Sequence, residues 1–276
     1  MFSNYRFNKI FKTHCLFIHI AALMMLHWSC KKALIVTLPP SKYENAKSSR
    51  VTSLVNRRII EKTIQFSGYS WVVRPSSTGA GPGPNSWSAD NVWVDTLGKL
   101  HLKLAKDAIT GIWNCAEVYT KTQFGYGKYQ FQVEGRVDQL DKNVVFGLFN
   151  YSGNDGHDEM DIEFSHWGAD YPILNYTIWP KTNNNATRWT TAKDFTLDGT
   201  YTTHRFTRSK SSVLFQSLYG FQNDNTGEFF SNTCGVSSLI STLQMPVYIN
   251  LWLFNGQSPS NDAAVELVIN NFTFGK

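Results

Sequence analysis

From Ile59 onward, hydrophobic and polar residues alternate in short runs, each closed by Gly, Pro, Asn, Asp or Ser. Leu100-His101-Leu102-Lys103-Leu104 alternates strictly, and further runs rich in β-branched and aromatic residues lie at 70–74, 91–95, 128–133, 144–149 and 247–253. Side chains of an extended strand point to opposite faces with period two, so these runs predict strands with one buried face. No stretch keeps a helical period for long. Many short strands with frequent turn signals predict an all-β fold, a two-sheet sandwich or jelly roll, with little helix. A chain of 276 residues could hold one large β domain or two small ones, and the even texture favours one.

One predicted strand departs from the pattern. In His157-Asp158-Glu159-Met160-Asp161-Ile162-Glu163-Phe164, the apolar residues take one face and Glu159, Asp161 and Glu163 take the other. Like charges at neighbouring positions of one face repel, so the row adds nothing to stability and points to chemistry. Carboxyl groups that share a cleft cannot all ionise easily; one keeps its proton towards neutral pH while another stays charged. Glycoside hydrolysis needs that asymmetry: one acid protonates the leaving oxygen, and one carboxylate attacks or activates water. Glu159 and Glu163 are the natural pair. Their Cα atoms would lie roughly 13 Å apart at about 3.3 Å per residue, and a retaining enzyme brings its carboxyl groups to about 5 to 5.5 Å. Two long side chains leaning across the shorter Asp161 narrow that gap. A solvated acidic strand is the plain alternative. A metal site using His157, Asp158 and His166 is another, weakened because Asp158 should face away from the row.

The first 29 residues have a different texture. Arg6, Lys9 and Lys12 precede a mostly apolar run at 15–26, the n-region and h-region of a signal peptide. The run is too short for a comfortable membrane span. It ends at Leu26-His27-Trp28-Ser29-Cys30-Lys31-Lys32, which resembles a loose bacterial lipobox. The expected layout is a signal peptide over 1–29 with cleavage before a lipidated Cys30, a tether over 30–57, and a β domain over 58–276. Plain secretion is the alternative to anchoring at the cell envelope; either way the domain is exported, and the membrane enters only through the anchor.

Loss of residues 1–29 lowers the formal charge from +5 to about +2. No Lys/Arg run remains that would suggest nucleic acid, and the acidic row opposes a polyanion at its own position. Cys115 and Cys234 remain, and in an oxidising compartment they could pair or stay free. Eight of the nine tryptophans lie beyond residue 29, enough for both a core and a sugar-stacking platform. His101 and His204 have no partner visible in the sequence and read as ordinary sheet residues.

Glu159-Met160-Asp161-Ile162-Glu163-Phe164 resembles the E-x-D-x-E signature of glycoside hydrolase family 16, the laminarinase and lichenase group, in its regular form without a bulge. Ala116-Glu117-Val118 through Phe124-Gly125-Tyr126-Gly127-Lys128-Tyr129, then Val145-Phe146-Gly147-Leu148-Phe149, resemble its preceding strands. Leu174-Asn175-Tyr176 and Ile249-Asn250-Leu251-Trp252 resemble segments lining its sugar subsites.

The resemblance spans about residues 60–274. It implies a catalytic jelly roll with a concave groove that cleaves internal β-glycosidic bonds with retention, with Glu159 as nucleophile, Glu163 as acid and then base, and Asp161 as helper. The partner implied is a polysaccharide, a β-glucan such as laminarin or lichenan, or a galactan, met by a monomer without organic cofactor. Relatives can carry a structural Ca²⁺, but no ligands are marked in this sequence.

Asn250 and Trp252 share one strand face and should line the groove together. Asn175, Trp167 and Trp113 are further candidates, and Trp179 and Trp189 flank an Asn183-Asn184-Asn185 loop that could edge it. Two positions depart from the family pattern: Tyr119 stands where many members have arginine, and His157 where many have an aromatic. Both should lie near the cleaved sugar. A glycan-binding protein without turnover and a transglycosylase are the rival readings.

Overall fold

In the computed structural model, which describes residues 61–275, the alternating runs become strands. They are β1 (Thr63–Phe66), β2 (Tyr69–Val73), β3 (Ser77–Ala80), β4 (Asn85–Trp87), β5 (Val92–Val94), β6 (Leu100–Lys106), β7 (Trp113–Thr120), β8 (Gly127–Glu134) and β9 (Val144–Tyr151). There follow β10 (Glu159–Phe164), β11 (Leu174–Trp179), β12 (Trp189–Lys193), β13 (Tyr201–Arg208), β14 (Val213–Tyr219), β15 (Glu228–Cys234), β16 (Val247–Leu253) and β17 (Val265–Gly275). The helical turns among the described residues are two short 3₁₀ turns, Ala89–Asn91 and Phe254–Gly256. The signal peptide, Cys30 and the tether fall outside the described residues.

The strands build a two-sheet jelly-roll sandwich. One antiparallel sheet runs β1-β2-β7-β16-β9-β10-β11-β12. The other runs β15-β14-β13-β8-β17-β6-β5. β6 passes between them, pairing its last residues with the start of β7. Alternation sets the faces: Leu100, Leu102 and Leu104 of β6 and Val247, Ile249 and Leu251 of β16 are all fully buried. Burying such a side chain contributes roughly 1.5–3 kcal/mol, so a one-residue register slip would be costly on every strand.

One open question closes and one reading needs correction. Cys115 and Cys234 do not pair; they sit on β7 and β15, in different sheets, as separately buried thiols. Burial pushes the Cys115 thiol up to about 12. His101 has partners after all: its ring stacks on Trp93 at 4.8 Å, with Nδ1 2.8 Å from Glu266 and Nε2 3.3 Å from Asp95. Glu266 lies on β17, 165 residues later, so the pairing is invisible along the chain. His204 is fully buried against Ser217, its Nδ1 2.7 Å from the hydroxyl, and burial pushes its pKa down to about 3.

Candidate active site

Unbroken antiparallel register places the acid row in the middle of its sheet. Glu163 lies opposite Gly147 on β9 and Asn175 on β11, and Gly147 opposite Asn250 on β16, which faces Glu117 on β7. One rung therefore reads Glu117, Asn250, Gly147, Glu163, Asn175 across five strands. The next reads Tyr119, Tyr248, Phe149, Asp161, Thr177, and a third Tyr151, Glu159, Trp179. β10 carries no bulge, as its regular acidic pattern suggested.

Asp158, just before the row, adopts left-handed backbone at φ 51°. Its carboxylate turns away and accepts from the Thr182 amide at 2.8 Å and from the Thr182 hydroxyl. His166 Nδ1 is held by the Tyr171 carbonyl, so the metal grouping of His157, Asp158 and His166 does not assemble among the described residues.

Burial pushes all three acids of the row up. Repulsion from Glu163 adds to the rise at Glu159. Asp161, 3% exposed, is raised further by both glutamates and shares a hydrogen bond with Glu159. The bond favours charge on Glu159 and the proton on Asp161. Glu163 is pushed up to about 7 by burial, with the Arg188 guanidinium drawing it partly back. The row therefore holds protons and charge side by side near neutral pH, which a solvated acidic strand would not do.

Two adjoining cavities flank the row. One, of about 560 Å³, is bordered by Glu117, Glu159, Asp161, Glu163, Trp167, Trp179, Asn250 and Trp252 among others. The other, of about 490 Å³, is bordered by Glu163, Trp167, Tyr171, Asn175, Trp179 and Arg188 among others. Trp167 stands in both walls, in the left-handed region at φ 53°. A bulky side chain there costs about 1–2 kcal/mol, offset by packing of its indole near Trp252 at 6.5 Å and edge-on to Phe254 at 5.6 Å.

The candidates read from the sequence thus divide. Glu159, Asp161, Glu163, Asn250, Trp252, Trp167 and Asn175 come together. Asn175 is engaged as a fastener, its Nδ2 donating to the carbonyls of Ser165, Pro172 and Ile173 at 3.0–3.1 Å, which leaves no free donor for a sugar. Tyr119 stands one ring behind the wall, stacked on Tyr248 at 5.2 Å.

Trp113 is not in the groove: β4 and β6 both pair with its end of β7, where it is buried beneath Lys106 at 5.4 Å. His157 is not there either, because the left-handed turn at Asp158 interrupts the strand alternation. Its ring lies 3.3 Å from the Asp155 carbonyl, and Asp155 and Tyr151 border the cavity instead.

Sequence reasoning missed Arg74 and Glu117 as site residues. Arg74 Nη1 lies 3.1 Å from Glu117, Nη2 donates to the Gly81 carbonyl at 2.8 Å, and the guanidinium stacks 3.9 Å over Trp87. A cation is therefore present beside Glu117, supplied by the residue that follows β2 and not from position 119. An acid within the mostly buried pattern of β7 was the available signal for Glu117; nothing along the chain marks Arg74.

Residues 84–211 match the family model of glycosyl hydrolases family 16. The family 16 match is to this segment of the chain. It contains the whole acid row, and the family is the one the residues themselves resemble. Solved structures with a similar fold include a β-glucanase of Bacillus licheniformis, with TM-score 0.56 and 21% identity, covering 75% of this chain and 92% of that one. A prokaryotic β-1,3-1,4-glucanase (lichenase) from a mouse hindgut metagenome has TM-score 0.55 and 18% identity, covering 74% and 92%. An immunostimulatory antigen and pseudo β-1,3-glucanase of Mycobacterium tuberculosis has TM-score 0.55 and 17% identity, covering 72% and 88%. None of the curated proteins compared matches the chain.

Gly147 lets the groove close around Asn250. A Cβ at this position would stand 2.6 Å from Asn250 Oδ1, so Gly147→Ala must push the amide off the rung it shares with Glu163 and Glu117. The expected cost is about 1–3 kcal/mol of stability and a raised KM; a thermal melt and initial rates on a cleaved polymer check both.

Proposed function

We propose that this chain is a retaining endo-β-glycosidase that hydrolyses internal bonds of a polysaccharide, with a β-glucan as the leading substrate and a galactan as the next. The observation that carries the reading is the row of three raised-pKa acids in one register, open to an aromatic-walled groove long enough to divide into two cavities. Glu159 attacks the anomeric carbon as the bond to the leaving oxygen breaks, and Glu163 gives that oxygen its proton. Water then attacks the glycosyl-enzyme and passes a proton to Glu163, the C–O bond to Glu159 breaks, and the sugar leaves with its configuration restored. Asp161 holds its proton towards Glu159 and steadies the charge there. Trp252, Trp167 and Trp179 supply faces for sugar rings.

Release of reducing ends by the full chain tests the proposal, using β-1,3-glucan, mixed-linkage glucan, agar-type galactan and carrageenan with Glu159→Ala as control. Cleavage of one polymer with a rapid fall in viscosity, absent in the variant, supports it. Binding without cleavage across the panel would favour a glycan-binding protein.

A further inference from the structure

The two cavities differ in how their arginines are used. In the larger one, Arg74 is already engaged by Glu117, the Gly81 carbonyl and the face of Trp87. In the smaller one, Arg188 makes no ion pair or side-chain hydrogen bond among the described residues. Its guanidinium lies 4.8 Å over the Trp179 ring, at the wall that also holds Glu163, Tyr171 and Trp167. Glu163 borders both cavities, whereas Glu159 borders only the larger. On the proposed mechanism the acid faces the leaving group, so the smaller cavity takes the leaving part of the chain.

We infer that this cavity selects a sugar bearing an anionic substituent, a sulfate ester or a carboxylate, which Arg188 binds. The inference rests on the hydrolase reading and narrows its substrate class. A neutral unit would find hydroxyl partners in Thr177 and Thr190, which line the same cavity. A guanidinium held over an indole with no hydrogen-bond partner of its own among the described residues keeps its fork of donors free for a planar or tetrahedral oxyanion. It also answers the objection that the acid row repels anions: the substituent would sit beyond Glu163 with a full positive charge to meet it. Burial leaves the row only partly ionised.

The test compares wild type, Arg188→Gln and Arg188→Lys on κ-carrageenan and its desulfated form, and on polyglucuronate and its carboxyl-reduced form. The ratio of kcat/KM for an anionic polymer over its neutral counterpart should fall about 10- to 100-fold in Arg188→Gln, with partial recovery in Arg188→Lys. The responding pair tells sulfate from carboxylate. A ratio unchanged by the substitution, or a wild-type preference for the neutral forms, overturns the inference. Should wild type cleave none of these but cleave a neutral β-glucan, the inference fails and the hydrolase reading stands; should it cleave neither set, the hydrolase reading fails, and affinity electrophoresis of the same proteins in the same polymers decides the inference separately. Retardation by an anionic polymer that Arg188→Gln loses supports it; equal mobility in both members of each pair overturns it.

Discussion

Glu159→Ala is expected to lower hydrolysis about 10⁴-fold or more, the scale seen when a covalent nucleophile is removed from an intact site. The fold should survive, because Glu159 sits at the groove surface of β10 while Met160, Ile162 and Phe164 on the opposite face are fully buried in the core. Taking away a carboxylate whose pKa is raised by burial removes an unfavourable group, so melting should stay level or rise above neutral pH. The space left beside the anomeric carbon admits a small anion. Azide should restore cleavage of an activated glycoside and yield a glycosyl azide of inverted configuration. Near-wild-type activity in Glu159→Ala, with azide without effect, would remove the nucleophile assignment.

Glu163→Gln should separate catalysis from stability. Loss of the general acid is expected to slow cleavage of a natural polymer about 10²- to 10⁴-fold and to abolish the alkaline limb of kcat/KM, which in wild type should fall near pH 7, where Glu163 is placed. The stability effect has the opposite sign. The folded pKa of Glu163 lies above its unfolded value of 4.5. Its linked stability is therefore fully present below that value and is lost as pH rises through about 7. Wild type should weaken across that window, by up to about 3 kcal/mol from this group, and Glu163→Gln should weaken less, its remaining loss coming from the still buried Glu159 and Asp161. Parallel melts from pH 5 to 8.5 in which the two proteins never diverge would contradict the burial argument. A protein slower by orders of magnitude and more stable at alkaline pH is the signature of an acid kept in an unfavourable setting for its chemistry.

How much of this was legible in the chain follows from the range of the interactions. Period two is local, so the strands at 247–253 and 100–104, the acid row and the shared face of Asn250 and Trp252 could all be read directly. The implied roles of the two glutamates came from resemblance, since two acids on one strand face are equivalent by spacing alone. Contacts set by strand order were not legible. His101 meets Glu266, and Arg74 meets Glu117, only because distant segments become neighbours in a sheet. Trp113 and His157 failed for local reasons: β4 and β6 flank the first, and left-handed Asp158 breaks the alternation before the second. A positive φ at a non-glycine residue has no period to betray it, so Trp167 was legible as a groove candidate but its left-handed backbone was not.

The central claim is that Glu159 and Glu163 cleave a β-glycosidic bond by double displacement. Proton NMR of the anomeric region during the first minutes of hydrolysis, before mutarotation, tests it most directly. The account predicts that the β-anomer of the newly released reducing end appears first and the α-anomer grows in afterwards. First appearance of the α-anomer would show a single displacement and contradict the assignment of Glu159 as nucleophile.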